Sequence, residues 1–441
     1  MPQTSLAYRI LANVAVPAVP MLLRDQGQHD AHRARLRAPA LLEEWARTHR
    51  DPARRLVWFH APSVGEGLQA RAVMRAFRLA RPDDQVIYTH YSPSAGDFAA
   101  TVGADWSGYL GYDRCRDVDR MLAAATPDLL VFTKLDLWPE LAVRASARGT
   151  RVAMVAATVS ARSGRLGWPA RQLAASGYAA LDLAGAISDE DAERLVRLGC
   201  HADRIVVTGD PRVDSALQVV DAEAPTSQSG IAGPIMTDTG RSTNTLVAGS
   251  TWPEDETVVL GAFELVRDRH AEARLIIAPH DPSSGHLRRV AAVAQELGLP
   301  EPARISRLSP GDAPMITLVD RVGLLARLYG RGAMAYVGGG WGKHGIHSVL
   351  EPAAWACPVV IGPNDRDSRD ARRLEQVGAL RRLHQPATAR ELAQIWGGWL
   401  DRPEDATRSG QAARAALEAE RGAAERSAAL LSSSLKSSSL K

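Results

Sequence analysis

Cysteine is scarce in this 441-residue chain: Cys115, Cys200 and Cys357 are odd in number, far apart and outside any CxxC spacing. That excludes a disulfide framework and a cysteine zinc site, leaving three small packing residues in a chain suited to a reducing compartment. Charge of one sign is also lacking. Lysine and arginine number 53 against 50 acids, a net charge of +3, which is too small a surplus for a nucleic-acid binder that depends on phosphate contacts. Nor is there an apolar run long enough for a bilayer span, which needs roughly 20 residues. The best candidate, 10–23, is shorter and is interrupted by Asn13, Pro17 and Pro20. No small-residue cleavage site follows it, so it does not read as a secretory signal. Two readings stand: a packed N-terminal helix, or an interfacial segment dipping into a lipid leaflet with Arg9, Arg24 and the Arg33, Arg35, Arg37 cluster at the headgroups.

Hydrophobic residues, by contrast, are plentiful at 45%, enough for full cores, and the length suits two domains of roughly 200 residues each. Short apolar runs at 56–60, 85–90, 128–133, 152–157, 183–188 and 205–208 read as strands. Helical patterns lie between them, such as Leu68, Ala72, Val73, Ala76, Phe77 and Ala80. Strands alternating with helices predict a parallel sheet covered on both faces. Residues 221–244 break the pattern with Ser, Thr, Gly and Pro and read as a linker. Beyond it the alternation restarts, with strands at 246–248, 275–278, 315–318, 333–337 and 359–361. The expected fold class is α/β: two Rossmann-like domains facing a central cleft, the GT-B glycosyltransferase architecture. The expected division is a membrane-associating segment at 1–40, an acceptor-side domain at 41–220, the linker at 221–244 and a nucleotide-sugar domain at 245–428. The tail at 429–441, Ser-rich and nearly repetitive, reads as disordered.

The most informative stretch follows the strand at 333–337. Gly338, Gly339, Gly340, Gly342 and Gly345 surround the polar Lys343 and His344, and helical character resumes near Glu351-Pro352. Glycines let a backbone approach a ligand closely, and a helix start offers unpaired N–H groups to an anion. Glu351 suits a ribose diol instead, so a nucleotide-sugar site is the first hypothesis. Ser348 and Glu351 have capping-box spacing, but Pro352 belongs near the first helical position, which places the glutamate at the helix start. Gly249 and Ser250 follow the first strand of the second half, either as contacts to the donor phosphate or the acceptor sugar, or with Ser250 or Thr251 as an ordinary helix cap. His280 ends the next strand and is either a base or carboxylate contact or an ordinary loop histidine. In the first half, His60-Ala61-Pro62-Ser63-Val64-Gly65-Glu66 joins a strand to a long helix. Glu66 is a candidate general base for an acceptor hydroxyl, or the glutamate of a capping box begun by Ser63.

These motifs, in this order, resemble the 3-deoxy-D-manno-octulosonic acid (Kdo) transferases of lipopolysaccharide assembly across most of residues 5–380. The carriers are the segment from His60 to Glu66, Leu137-Trp138-Pro139, Val207 to Asp214, Val247 to Glu256 and Gly338 to Glu351. The resemblance implies an inverting enzyme that moves Kdo from its CMP-activated form to a lipid A precursor, at the cytoplasmic face of the inner membrane. It implies Glu66 as the base, with Ser63, Gly65, Asp136 and Arg212 toward the acceptor or the sugar acid. On the donor it places Gly249, Ser250, His280, Lys343, Gly345, Ile346, Ser348 and Glu351. No metal or other cofactor is implied, since helix N-termini and basic side chains can neutralise the leaving CMP phosphate. The expected partners are CMP-Kdo, the lipid A precursor and the membrane surface, and no nucleic acid. Arg212 has a surface salt bridge as its other reading.

The chain departs from the family where Glu-Thr-Glu-Leu-Trp-Pro-Asn is replaced by Lys134-Leu135-Asp136-Leu137-Trp138-Pro139-Glu140, and where Ser348 stands for asparagine. The first change falls in the acceptor-side half. It leaves open a different acceptor or another CMP-activated ulosonic acid. A non-catalytic CMP-sugar-binding scaffold, against which the intact Glu66 counts, and a nucleotide-sugar epimerase of the same fold are the further alternatives.

Overall fold

The computed structural model describes residues 4–223, 242–309, 311–342, 345–365, 368–385 and 388–436. The chain forms two units: Met1–Ser215 with Gly422–Lys441, and Ala216–Arg421. Both are built on short strands, buried at the centre of each sheet and more open toward its edges, as continuous apolar runs in a parallel sheet require.

The strands of the first unit are β1 (Leu56–His60), β2 (Gln85–His90), β3 (Trp106–Tyr109), β4 (Leu129–Thr133), β5 (Arg151–Ala157), β6 (Leu183–Ala186) and β7 (Ile205–Val207). All pair in parallel, in the order β3-β2-β1-β4-β5-β6-β7. The order reverses between β1 and β4, where Phe132 is in register with His60. At such a switch point the loops after neighbouring strands part, leaving a crevice at the carboxyl edge of the sheet. One face packs Trp58, Phe132, Met154 and Tyr178, the other Phe59, Phe77, Tyr88 and Val131.

The second unit repeats the plan with β8 (Thr245–Thr251), β9 (Arg274–Pro279), β10 (Ala303–Arg304), β11 (Ile316–Leu318), β12 (Met334–Val337), β13 (Val359–Ile361) and β14 (Leu380–Arg382). The order is β10-β11-β9-β8-β12-β13-β14, again parallel. Here the switch point lies between β8 and β12, with Val337 opposite Gly249. The apolar periodicity anticipated eleven of these strands. It missed β3, whose Trp-Ser-Gly-Tyr has a glycine in its middle, the two-residue β10, and β14, which carries two arginines on an edge.

Two expectations need correction. The tail is helical from Ala423 to Lys436 and belongs to the first unit, not to the second domain or to a disordered end. Ala424, Ala428, Leu431 and Leu435 recur at spacings of four, three and four, and all are buried. The last three join the core that holds Phe59, Val73 and Phe77. The Ser-Leu-Lys repetition thus hides an amphipathic stripe. Asp214 fixes the start of this helix by accepting the Gly422 and Ala424 N–H groups, each at 2.7 Å. Residues 437–441 and most of the expected linker, 224–241, lie outside the described residues.

At the other end, α1 (Leu6–Ala18), a 3₁₀ turn (Val19–Leu22) and α2 (Gln26–His49) follow one another. Leu6, Ile10, Leu11, Val14, Met21 and Leu22 are exposed. Among the described residues no helix is long and apolar enough to cross a membrane. The basic cluster does not act as one group: Arg35 is buried, with its guanidinium 3.8 Å from the Tyr91 ring centroid and donating to the Tyr91 carbonyl, while Arg33 pairs with Asp30. Arg9 reaches Glu140 at 3.2 Å instead of facing outward.

Candidate active site

In the first unit the chemistry-bearing side chains gather at the β1/β4 switch point. α3 (Val64–Ala80) begins directly after the β1 loop, with Ser63 as its N-cap residue and Glu66 in its first turn. The capping-box reading fails on one half: the Ser63 hydroxyl makes no cap bond to the helix backbone and donates to the Glu66 carboxylate. The other Glu66 oxygen, Oε1, accepts from Lys134 Nζ at 2.8 Å. Burial pushes the carboxyl upward, but the Lys134 ammonium and the Ser63 hydroxyl outweigh it and hold Glu66 below the usual carboxylate range. Lys134 follows β4 with φ of 65°, a left-handed conformation uncommon for a side chain with a Cβ. Its N–H stays in the sheet pattern, donating to the Val155 carbonyl at 2.9 Å.

Beside this pair, Trp138 Nε1 donates to His60 Nε2 at 3.0 Å and approaches Asp136 Oδ2 at 3.2 Å. The accepting Nε2 places the His60 proton on Nδ1, toward Thr89 Oγ1 at 3.0 Å. His60 is therefore a fully buried support for the turn that carries Asp136. Arg165 lies 3.5 Å from Asp136 and donates to the Leu135 carbonyl at 2.8 Å. Gly65 sits in the first turn of α3. Arg212, at the start of the helix Pro211–Ala222, donates to Asp210 from Nε at 2.9 Å and from Nη2 at 2.6 Å.

In the second unit the frame is backbone. Gly338 N–H donates to the Gly249 carbonyl at 2.9 Å, joining β12 to β8 beyond their last paired residues. A Cβ at Gly338 would lie 2.3 Å from the Ser250 carbonyl oxygen, at Gly339 2.4 Å from the Gly345 oxygen, and at Gly340 2.6 Å from the Gly362 Cα. These three glycines serve close approach between protein backbones, a use the sequence reading assigned to a ligand. Gly249 is similarly required by Tyr329, whose Oη would lie 2.1 Å from an added Cβ. Asp255, in the helix Pro253–Arg267, ties the loop together. It accepts from Tyr336 Oη at 2.7 Å, Gly339 N at 2.9 Å and Trp252 N at 2.8 Å. Burial pushes its carboxyl up despite these donors.

Ser250 takes φ of 53°. His280 stacks on Trp252 at 4.8 Å and on His347 at 4.4 Å between ring centroids, and Trp252 Nε1 donates to His347 Nε2 at 3.1 Å. Gly345, with φ of 76°, and Ile346 lead into this histidine. Ser348 Oγ accepts from Leu350 N at 3.3 Å. Glu351 is the second residue of the short helix Leu350–Ala354 and Pro352 the third, where a missing N–H costs nothing. Lys343 and His344 lie outside the described residues. A cavity of about 380 Å³ opens among Trp252, Asp255, Gly339 and Trp341.

Structure therefore adds Lys134 as a partner of Glu66, together with Trp138, Asp255, Tyr336 and His347. Lys134 and Trp138 lie in the 134–140 block and Asp255 and His347 in segments that carried the resemblance, whereas Tyr336 had only its place in a strand; Asp255 also has capping spacing, three residues after Trp252 at the start of a helix. Among the described residues no three of His, Cys, Asp and Glu gather as a metal site.

Two doubly wound parallel units, each with its polar cluster at a switch point, define a GT-B glycosyltransferase fold. A putative UDP-N-acetylglucosamine 2-epimerase from Listeria monocytogenes shares this fold, with a TM-score of 0.62 over 87% of this chain and 97% of that one at 13% identity. Residues 35–215 match the family model described as 3-deoxy-D-manno-octulosonic-acid transferase (kdotransferase). The 3-deoxy-D-manno-octulosonic acid transferase of Bordetella pertussis is 30% identical over 381 residues, covering 83% of this chain and 84% of that protein. Its Haemophilus influenzae counterpart is 24% identical over 375 residues, with the same coverage. The chain belongs to the 3-deoxy-D-manno-octulosonic acid transferase family, and is thus a glycosyltransferase.

Proposed function

We propose that the protein transfers Kdo from CMP-Kdo to a lipid A precursor at the cytoplasmic face of the inner membrane. The observation that carries this reading is the 30% identity with the Bordetella pertussis transferase over 83% of the chain. In the proposed step, Glu66 takes the proton of an acceptor hydroxyl. The hydroxyl oxygen bonds to the anomeric carbon of Kdo, and the bond from that carbon to the phosphate oxygen breaks, its electron pair leaving with CMP. A single displacement inverts the anomeric centre. Ser63 orients the Glu66 carboxylate, and Gly65, Asp136 and Arg212 serve the acceptor or the sugar acid. Gly249, Ser250, His280, Gly345, Ile346, Ser348 and Glu351 serve the donor, with the ring stack of Trp252, His280 and His347 available to a base. The exposed apolar residues of α1 and its 3₁₀ turn support a lipid surface as the place of work. The step as written calls on no metal, so a chelator is expected to leave the rate unchanged.

The test is CMP release from CMP-Kdo by the purified protein, with and without a tetra-acylated lipid A precursor, the lipid followed by mass spectrometry. A mass gain of one or more Kdo units supports donor and acceptor together. CMP-Kdo binding with no lipid product would sink the acceptor assignment. A second reading, Kdo transfer to a different acceptor, is favoured by the Lys134–Glu66 pair, because that lysine stands where the resemblance leads one to expect a glutamate.

A further inference from the structure

The pair between Lys134 and Glu66 is layered. The Lys134 side chain is 42% exposed and the Arg165 side chain 43%, whereas Glu66 is 17% and Asp136 25% exposed. Two cations thus lie outermost over two carboxylates. Both cations are attached to one turn: Lys134 opens it, and Arg165 donates to the carbonyl of Leu135, the next residue. An anionic group arriving from solvent meets ammonium and guanidinium before it meets a carboxylate. Lys134 is the exposed partner of the pair, so water and arriving anions compete for its ammonium and it can exchange one anion for another. Glu66 also keeps a second hydrogen bond, from Ser63, which holds the carboxylate in place after the lysine leaves.

As it stands, the arrangement works against catalysis. An ammonium 2.8 Å from Oε1 occupies one of the carboxylate oxygens and lowers its proton affinity. A general base needs both a vacant oxygen and enough basicity to accept a hydroxyl proton.

Building on the transfer reaction above, we propose that Lys134 is the residue that reads the acceptor. An anionic group beside the accepting hydroxyl, phosphate or carboxylate, draws the ammonium off Glu66 and frees the base. Recognition of the anion and activation of Glu66 are then one event. The hydroxyl proton passes to the vacated Glu66 oxygen, the acceptor oxygen bonds to the Kdo anomeric carbon, and CMP departs with the electron pair of the broken bond. An acceptor without the anion leaves the lysine where it is and reacts slowly. Among the described residues, the groups that face the Glu66 carboxylate are Ser63 at the start of its own helix, Lys134 from the β4 turn and the Tyr88 phenol from β2, whose ionisation burial suppresses first and Glu66 second. Lys134 is the only permanent charge among those three.

Two measurements on the full chain test this. The first compares kcat/KM for a bisphosphorylated tetra-acylated lipid A precursor and its phosphatase-treated form. The wild type is expected to favour the phosphorylated acceptor by about 10- to 100-fold, the range of one charge-assisted hydrogen bond. Lys134→Met is expected to abolish the preference, and Lys134→Arg to restore most of it. Equal losses on both acceptors in Lys134→Met would mean a merely structural lysine and overturn the proposal. The second follows the Glu66 carboxyl carbon by NMR titration, in inorganic phosphate and in sodium acetate, against chloride of equal ionic strength. Either anion is expected to raise the Glu66 midpoint in the wild type and not in Lys134→Met, and the larger response identifies phosphate or carboxylate as the group read. No response to either anion overturns the proposal even if transfer is observed. An anion response without transfer to either acceptor refutes the lipid A reading instead and leaves the role of Lys134 standing.

Discussion

The two units share a sheet plan and differ in what holds their switch points. In the first, side-chain charges hold it: Glu66, Lys134, Asp136 and Arg165, with His60 and Trp138 beneath. In the second, the backbone does: Gly338, Gly339 and Gly340 pack against other main chain, and a single buried carboxylate, Asp255, gathers two N–H groups and a phenol. A site held by exposed charges can be rearranged by the charge of its ligand, because each ion pair competes with water and other ions. A backbone site tolerates such changes but not added volume, since close-packed main chain has nowhere to go. Under the proposed function, the first arrangement suits chemistry and choice of acceptor, and the second suits holding one donor in one pose.

Substitutions can break this contrast, and Glu66→Gln has the largest expected effect. It keeps the shape of the β1/β4 site but removes the proposed base, so transfer should fall by about 10²–10⁴-fold. CMP binding, proposed for the second unit and measured by calorimetry, should be unchanged; parallel loss of both would erase the proposed division of labour. Leu431→Ala tests where the C-terminal helix belongs. Leu431 is fully buried against the core of the first unit, so its truncation should cost about 2–5 kcal/mol. Hydrogen exchange should quicken in α3 and not in β8 or β12, and the reverse distribution would return the helix to the second unit. Gly338→Ala places a Cβ against the Ser250 carbonyl and should destabilise the second unit by about 1–3 kcal/mol. CMP affinity should drop while charge-conserving changes elsewhere in the unit leave it intact; an unchanged affinity would refute the backbone-held description.

The smallest effect concerns pH, at the attachment of α1. Asp113 accepts from Tyr8 Oη at 2.6 Å and from the Glu140 and Leu141 N–H groups at 2.9 Å each. Burial pushes its carboxyl up to about 6, against an ordinary 3.8. A carboxyl raised on folding contributes stability fully below its unfolded value and loses it as pH rises through the folded one. The stability advantage of the wild type over Asp113→Asn in urea unfolding should therefore shrink between about pH 4 and pH 7. A widening advantage over that window would contradict the assignment.

Much of this molecule was legible in one dimension. The apolar runs at 56–60, 85–90 and 359–361 coincide with β1, β2 and β13, because a strand buried on both faces is mostly apolar. The motif around Glu66 was readable because a strand-to-helix turn carries characteristic residues at its start. Other features were not. The amphipathic stripe of the C-terminal helix is written in alanine and leucine among serines, and resembles low complexity until α3 is there to receive it. The glycine loop could be read only as permissive backbone, and whether ligand or protein fills the space beside each glycine is a property of the fold. Asp255 is one letter within the Val247–Glu256 segment, although it is the residue that closes the loop.

By itself, then, the sequence determined the two parallel α/β units, the family and the positions of the motifs, since periodicity and turn chemistry are local and survive in a string of letters. The partner of Glu66 was decided only by the tertiary structure. Residues 66 and 134 are brought together because β1 and β4 are neighbours at a switch point and the turn after β4 takes a left-handed step that aims Lys134 across it. A carboxylate's chemistry depends on the charge within a few ångströms of it, and that neighbourhood exists only once the sheet has formed.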